Sequence, residues 1–297
     1  VSGGDDKTRY FFSGAYNNTT GIIDSNSLER ITGRSNLSHK LSDRFTVGMN
    51  IGFSRAIINR VQDDNSFTSP LQSVAQAPIS QARLADGTAN PNTEYANYLL
   101  AKDNTFWKTN MRRLTGKVFG ELKIVKGLKF NSDFSYDYLT QTEDSWQGKN
   151  APFMATDGEV FATSVNTENY VFSNYFTYDK TFAEKHALNL VAGMELNKYN
   201  NRYQDVNSIY FPNDGFQTID GGAEINEGHG REIDYAFVSQ FGRLSYAFDG
   251  KYLFKASIRR DGSSRFGKNE RYGVFPALSA GWVISKENFL KENPVLT

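Results

Sequence analysis

The sequence predicts an all-β fold: an antiparallel up-and-down transmembrane β-barrel wall of about ten strands. Three observations carry that prediction. Segments of roughly ten residues alternate apolar with polar side chains, as a strand does when its two faces meet different surroundings. The connections between them run long, short, long, short. That parity suits short periplasmic turns and long extracellular loops, and a Greek-key sandwich has no reason to keep it. Finally, 14% of the 297 residues are aromatic and only seven are proline, yet no apolar run approaches the roughly 20 residues of a membrane helix.

Taken in order, Val1 to Asp5 reads as the end of a strand, and the first full strand is expected from Lys7 to Tyr16, followed by a polar loop from Asn17 to Leu28. The second runs from Ile31 to Leu41 and the third, the cleanest, from Phe45 to Ser54. In the third, Phe45, Val47, Met49, Ile51 and Phe53 oppose Thr46, Gly48, Asn50, Gly52 and Ser54. A long excursion from Arg55 to Asn110 follows, with a short helix expected where Pro70 opens Pro70 to Ala77. Strands Met111 to Ile124 and Leu128 to Leu139 flank a turn at Lys126-Gly127, and a second long loop spans Thr140 to Thr167. Strands Asn169 to Thr181 and Ala187 to Asn197 precede a third long loop, Lys198 to Arg231, and then a strand from Ile233 to Phe248. Asp249-Gly250 is a two-residue hairpin signal that requires positive φ.

The stretch from Lys251 to Ser285 shows how a bilayer fixes the register. Tyr252, Phe254, Ala256 and Ile258 alternate with Leu253, Lys255, Ser257 and Arg259, and a second strand carries Val274 to Ile284 beyond the polar loop Asp261 to Arg271. A charge facing lipid near the bilayer centre costs roughly 2–4 kcal/mol in a membrane barrel. Lys255 and Arg259 are therefore expected in the wet interior, with Asp133, Asp137 and Glu195, while the aromatic and aliphatic set faces outward. Aromatics near strand ends (Tyr10, Phe11 and Phe12; Tyr170 and Phe172; Tyr178; Tyr246 and Phe248; Tyr252; Trp282) fit either interfacial girdles or ordinary sheet packing. The mean hydropathy of −0.54 is compatible with this architecture, since half of each strand faces water and only about 9–11 residues cross the bilayer.

Composition also excludes. With 33 basic and 33 acidic side chains there is no electrostatic footprint for nucleic acid, and without cysteine there is neither a disulfide framework nor a thiolate metal site. No nucleophile elbow, zinc-protease helix or phosphate-binding loop occurs. His39, His186 and His229 are scattered and read as solvated or strand-face residues. Asp63-Asp64 and Glu143-Asp144 lack calcium-loop spacing and read as solvated charge. No catalytic, cofactor or metal site is expected. Trp107 and Trp146, in or beside long loops, either stack on a solute or pack the loops.

Several runs resemble the SusC/RagA-type TonB-dependent outer-membrane transporters of the Bacteroidetes. They are Tyr10-Phe11-Phe12-Ser13-Gly14-Ala15-Tyr16 with Gly21-Ile22-Ile23, and Arg34-Ser35-Asn36-Leu37-Ser38-His39-Lys40-Leu41 with Val47-Gly48-Met49-Asn50. The most specific is Arg259-Arg260-Asp261-Gly262-Ser263-Ser264-Arg265-Phe266-Gly267, continuing through Arg271-Tyr272-Gly273, Phe275-Pro276 and Ser279-Ala280-Gly281-Trp282. Pro276, awkward in a central strand, is expected at an irregularity near the rim.

The resemblance implies a large plugged barrel of the 22-stranded class, importing oligosaccharides or peptides beneath a SusD-like surface lipoprotein. The TonB–ExbB–ExbD complex would supply the energy. On that view residues 1–297 are a partial β-barrel domain in the Gram-negative outer membrane, with the plug domain and the remaining strands outside this chain; Asn293 to Thr297 breaks off without a terminating pattern. A passive porin or surface adhesin, and a soluble carbohydrate-binding β-protein, are the competing readings.

Overall fold

A computed structural model describes residues 1–61, 70–152 and 157–290. Asp63-Asp64 and Asn293 to Thr297 lie outside the described residues. Eleven strands form one antiparallel sheet whose spatial order is their order in the chain. They are β1 (Ser2–Gly4), β2 (Thr8–Thr20), β3 (Ser27–Lys40), β4 (Phe45–Arg60), β5 (Thr105–Val125), β6 (Leu128–Gln147), β7 (Glu159–Phe182), β8 (His186–Ile209), β9 (Glu224–Phe248), β10 (Tyr252–Ser263) and β11 (Tyr272–Trp282). Every connection at one end is two to four residues long; at the other end each has six or more. The expected parity is present throughout.

The turn chemistry agrees with the sequence. Asp249 (φ 54°) and Gly250 (φ 62°) both adopt the expected left-handed backbone, but the connection is one residue longer than the two-residue hairpin expected, since Lys251 also lies between the paired Phe248 and Tyr252. The short-turn ends are staggered: Leu128, the first residue of β6, lies opposite Tyr178, four residues short of the end of β7. Strands that tilt in a barrel wall need such an offset.

The strands are much longer than the alternation suggested. β5 to β9 run 20 to 25 residues, about twice what a bilayer crossing takes. Most of Thr140 to Thr167 and Lys198 to Arg231, expected as loops, is therefore strand, and the first polar loop shrinks to residues 21–26. The physical reason is that both faces of these extensions meet water, so the apolar–polar rhythm disappears while the backbone ladder continues. The expected helix at Pro70 is a 3-10 turn, Pro70–Ala75; an α-helix, α1 (Tyr98–Asn104), occurs further on, its first turn capped by Asn97, whose side-chain oxygen accepts from Leu99 N–H at 3.1 Å. Pro276 sits mid-strand in β11 opposite Ile258, with no register shift, rather than at an irregularity.

One sheet face is apolar along its whole width. The directly paired residues Tyr10, Leu37, Met49, Val118, Phe134, Phe172, Leu196 and Val238 form one continuous row across β2 to β9. Among the described residues no second layer covers it: Val118 is 59% exposed and Phe134 44%. The buried apolar residues, among them Trp146, Val160, Ile209 and Phe211, all lie at the long-loop end. A sheet that leaves such a face open needs an apolar surface, lipid or protein, against it.

Two aromatic borders frame this face. Phe182, His186, Phe248, Tyr252 and Trp282 form an unbroken row along the short-turn end, with neighbouring ring centroids 4.8 to 6.5 Å apart. Tyr136, Tyr138 and Tyr170 cluster on the far side. Along β7 the two borders are the twelve residues from Tyr170 to Phe182 apart, or about 28 Å along the normal for a strand tilted ~45°, close to the thickness of a hydrocarbon core.

Candidate functional site: the polar face and the long-loop rim

The residues alternating with the apolar set line the opposite face, and the antiparallel register brings their charges together. Asp133, Asp137, Glu195, Lys255 and Arg259 all lie there. Lys117 Nζ donates to Asp133 at 2.9 Å, and Arg113 holds Asp137 with two bonds, from Nε at 2.9 Å and from an η nitrogen at 2.5 Å. Lys129 meets Glu121 at 3.1 Å. Arg259 is shared between Glu195 (3.1 Å), Asp261 (2.7 Å) and Ser239 Oγ (2.8 Å), and Ser173 Oγ donates to Glu195 at 3.0 Å. Lys255 stands opposite Ser245 and Ser279. These pairs are partly exposed, so each contributes about 1 kcal/mol or less. Their effect is a wall that is polar yet nearly charge-balanced.

Above that cluster the same face becomes aromatic and amide-rich. Tyr199 and Tyr235 stack at 4.7 Å, and the Arg265 guanidinium lies 4.2 Å over Tyr235. Arg231 lies over Tyr203 at 5.6 Å. Asn197 donates to Asn169 at 2.7 Å and Asn201 to Thr167 at 2.8 Å. Most of this was invisible in the sequence, because these residues fall where loops were expected; the recurrence of tyrosine at 199 and 203 was the one available signal. Asp261, assigned to a loop, is instead a strand residue in the Arg259 cluster.

The two tryptophans part company. Trp107 lies on the polar face, half-buried, with the Arg60 guanidinium 3.9 Å over its ring. Trp146 is 3% exposed and meets Phe211 edge-on at 4.8 Å, beside Val160. Residues 210–223 fold over the strand ends to make this small core, and Asn207, fully buried, ties it together by donating to Glu159 at 3.0 Å and to the Val160 carbonyl at 3.2 Å. Elsewhere on the rim, Lys102 of α1 pairs with Asp24 at 2.5 Å, and Tyr98 donates to the Asp24 carbonyl at 3.0 Å. The hydrogen bond to Asp24 holds the Lys102 ammonium above its usual range.

The histidines have local partners: His39 with Thr8 Oγ1 at 2.8 Å, His186 with Tyr246 Oη at 2.6 Å, and His229 with Asp205 at 3.3 Å. Glu143, set aside as solvated charge, accepts from Arg60 and Thr109. Among the described residues no three His, Asp or Glu side chains converge to hold a metal ion. Chemically, the arrangement offers a water-facing wall able to hold a polar solute or a protein domain against it.

Comparison with known proteins agrees with the geometry. No family model matches the chain. It is 30% identical over 313 residues to TonB-dependent receptor P3 of Formosa agariphila, an alignment that takes in the whole chain and 31% of that protein. It is 29% identical over 217 residues to TonB-dependent receptor SusC of Bacteroides thetaiotaomicron, covering 71% of the chain and 21% of the relative. The structure of the RagAB peptide transporter superposes with a TM-score of 0.83 at 23% identity, over 98% of this chain and 34% of that one. The chain therefore spans under a third of the length of the curated relatives it matches.

Proposed function

We propose that this chain, similar along its length to one stretch of two TonB-dependent receptors and over 71% of it to SusC, is a wall sector of an outer-membrane barrel that actively imports oligosaccharides or peptides. The observation that carries the reading is the partition of the sheet. One face is a continuous apolar row with aromatic borders about one hydrocarbon thickness apart, and the other is a paired, hydrated wall. Such a wall does no bond chemistry; it positions a solute and whatever domain fills the barrel.

On this reading residues 1–297 are part of a barrel domain, and the plug and the other strands belong to the rest of the protein. The long connections form an extracellular mouth, which a SusD-like lipoprotein closes, and TonB–ExbB–ExbD drives release. Trp107, which lies on the polar face, would meet the solute on this reading; Trp146 gives its ring to the rim core.

The test is uptake of labelled oligosaccharides and peptides by cells expressing the whole protein, with TonB intact and with TonB disabled. Import that vanishes in the second strain is expected. Import indifferent to TonB would establish a passive pore, and recovery of the protein in the aqueous fraction without detergent would overturn the membrane reading altogether.

A further inference from the structure

On the apolar face of β4 and β5 the paired residues climb from Phe45 and Leu122 through Met49 and Val118 to Phe53 and Leu114. The next pair is Arg55 opposite Arg112, ten residues above Phe45 and Leu122. This is the height at which a strand leaves the hydrocarbon. Both arginines are exposed. Directly opposed like charges repel, and cross-strand partners of this kind have Cβ atoms only about 5 Å apart.

Nothing on the sheet relieves that repulsion. The arginines that make ion pairs among the described residues are Arg60, Arg113 and Arg259; Arg55 and Arg112 make none. Their outer neighbours across the strands are Ile31 and Thr140. The carboxylate closest in register on that face, Glu29, stands opposite Ile57, one step further out. By contrast Lys198, on the same face of β8, has Asp234 at 3.9 Å.

We infer that Arg55 and Arg112 form a site for the phosphate of an outer-leaflet phosphoglycolipid. The inference rests on the reading of this face as lipid-facing. Two guanidinium forks side by side match the oxygens of one phosphate, each able to bind it bidentately. Phe53 and Leu114, directly below, offer the apolar floor that acyl chains attached to that phosphate would cover. A free phosphate would use the forks and ignore the floor; the chemistry of the pair together with the floor assigns a lipid.

The test uses the full-length protein extracted in mild detergent, with wild type and the Arg55→Gln/Arg112→Gln double variant first shown to fractionate with outer membranes. Native mass spectrometry then follows retention of bis-phosphorylated lipid A, dephosphorylated lipid A and inorganic phosphate. The double variant should retain bis-phosphorylated lipid A about a hundredfold more weakly or worse, the loss expected for two charge-assisted partners. It should match wild type for the dephosphorylated lipid. Arg260→Gln, which removes another arginine of the same face, one stacked 3.9 Å over Tyr272, should leave retention unchanged. Equal retention by wild type and double variant overturns the site, and saturation by inorganic phosphate alone overturns its assignment to a lipid. Failure of the wild type to fractionate with membranes would instead sink the barrel reading, and the lipid site with it.

Discussion

Replacing Val118 with arginine separates a lipid-facing sheet from one that packs against protein or water. Val118 stands in the row between Met49 and Phe134, 59% exposed in the sheet. It lies four residues from Leu122 and six from Arg112, and so near the middle of a bilayer crossing. An arginine there costs roughly 2–4 kcal/mol, which lowers the folded-to-unfolded ratio about 30- to 1000-fold. The adjacent Lys117 gives the control. Lys117→Met breaks the 2.9 Å pair with Asp133, whose side chains are 40% and 17% exposed, and screening limits that loss to about 1 kcal/mol or less. The assay is denaturant unfolding of the full-length protein in lipid vesicles, read by gel mobility of the folded barrel. A Val118→Arg variant as stable as wild type, with Lys117→Met the more damaging change, would refute the assignment of faces.

Four further outcomes are expected. Glu287 accepts from Tyr252 Oη at 2.7 Å and Trp282 Nε1 at 3.1 Å, and the Tyr252 bond, then the Trp282 bond, holds its carboxyl below the usual range. Its contribution is therefore complete above the ordinary carboxylate range and fades as pH falls through the depressed value; hydrogen exchange in the β9–β10 turn should quicken as pH falls below the ordinary carboxylate range, and Glu287→Gln should abolish that step. Trp146→Ala empties the rim core and should cost about 3–5 kcal/mol, seen as proteolysis within residues 210–223 while the membrane-embedded fragment survives. Ala183 and Glu184 both have positive φ, 47° and 57°; Ala183→Gly should raise the unfolding midpoint, by about 1 kcal/mol in stability. A side chain at Gly193 would clash with Tyr175 Cβ and meet the Asn174 carbonyl oxygen at 2.5 Å, so Gly193→Val should lower the folded yield, the overpacking costing about 1–3 kcal/mol.

Within the span that the proposed reading sets in lipid, the sequence is legible because lipid and water impose opposite demands on successive side chains. Phe45 to Ser54 and Tyr252 to Arg259 show it most plainly, and the register they implied places Lys255 and Arg259 on the polar face as expected. Beyond that span the rule stops writing itself into the chain. Asn200 and Asn201 on β8, or Thr140 and Gln141 on β6, satisfy strand geometry with either face outward, so a polar strand and a polar loop look alike. The Arg259 cluster shows the same limit in the site: Glu195 and Arg259 were each foreseen on the wet face, but only pairing through β9 brings Glu195, 64 positions away, to the guanidinium. Trp146 was ambiguous for a related reason, since its burial depends on residues 210–223 folding back over distant strand ends.

The most direct test exploits the absence of cysteine from this chain. Single cysteines at Val47, Met49, Asn50, Ile51 and Gly52 of the full-length protein, probed in native vesicles, sample both faces of one strand. Positions 47, 49 and 51 should react only with a membrane-dissolved reagent, and 50 and 52 only with a water-soluble one. The reverse pattern, with 47, 49 and 51 open to water and 50 and 52 shielded from it, would contradict the account at its base.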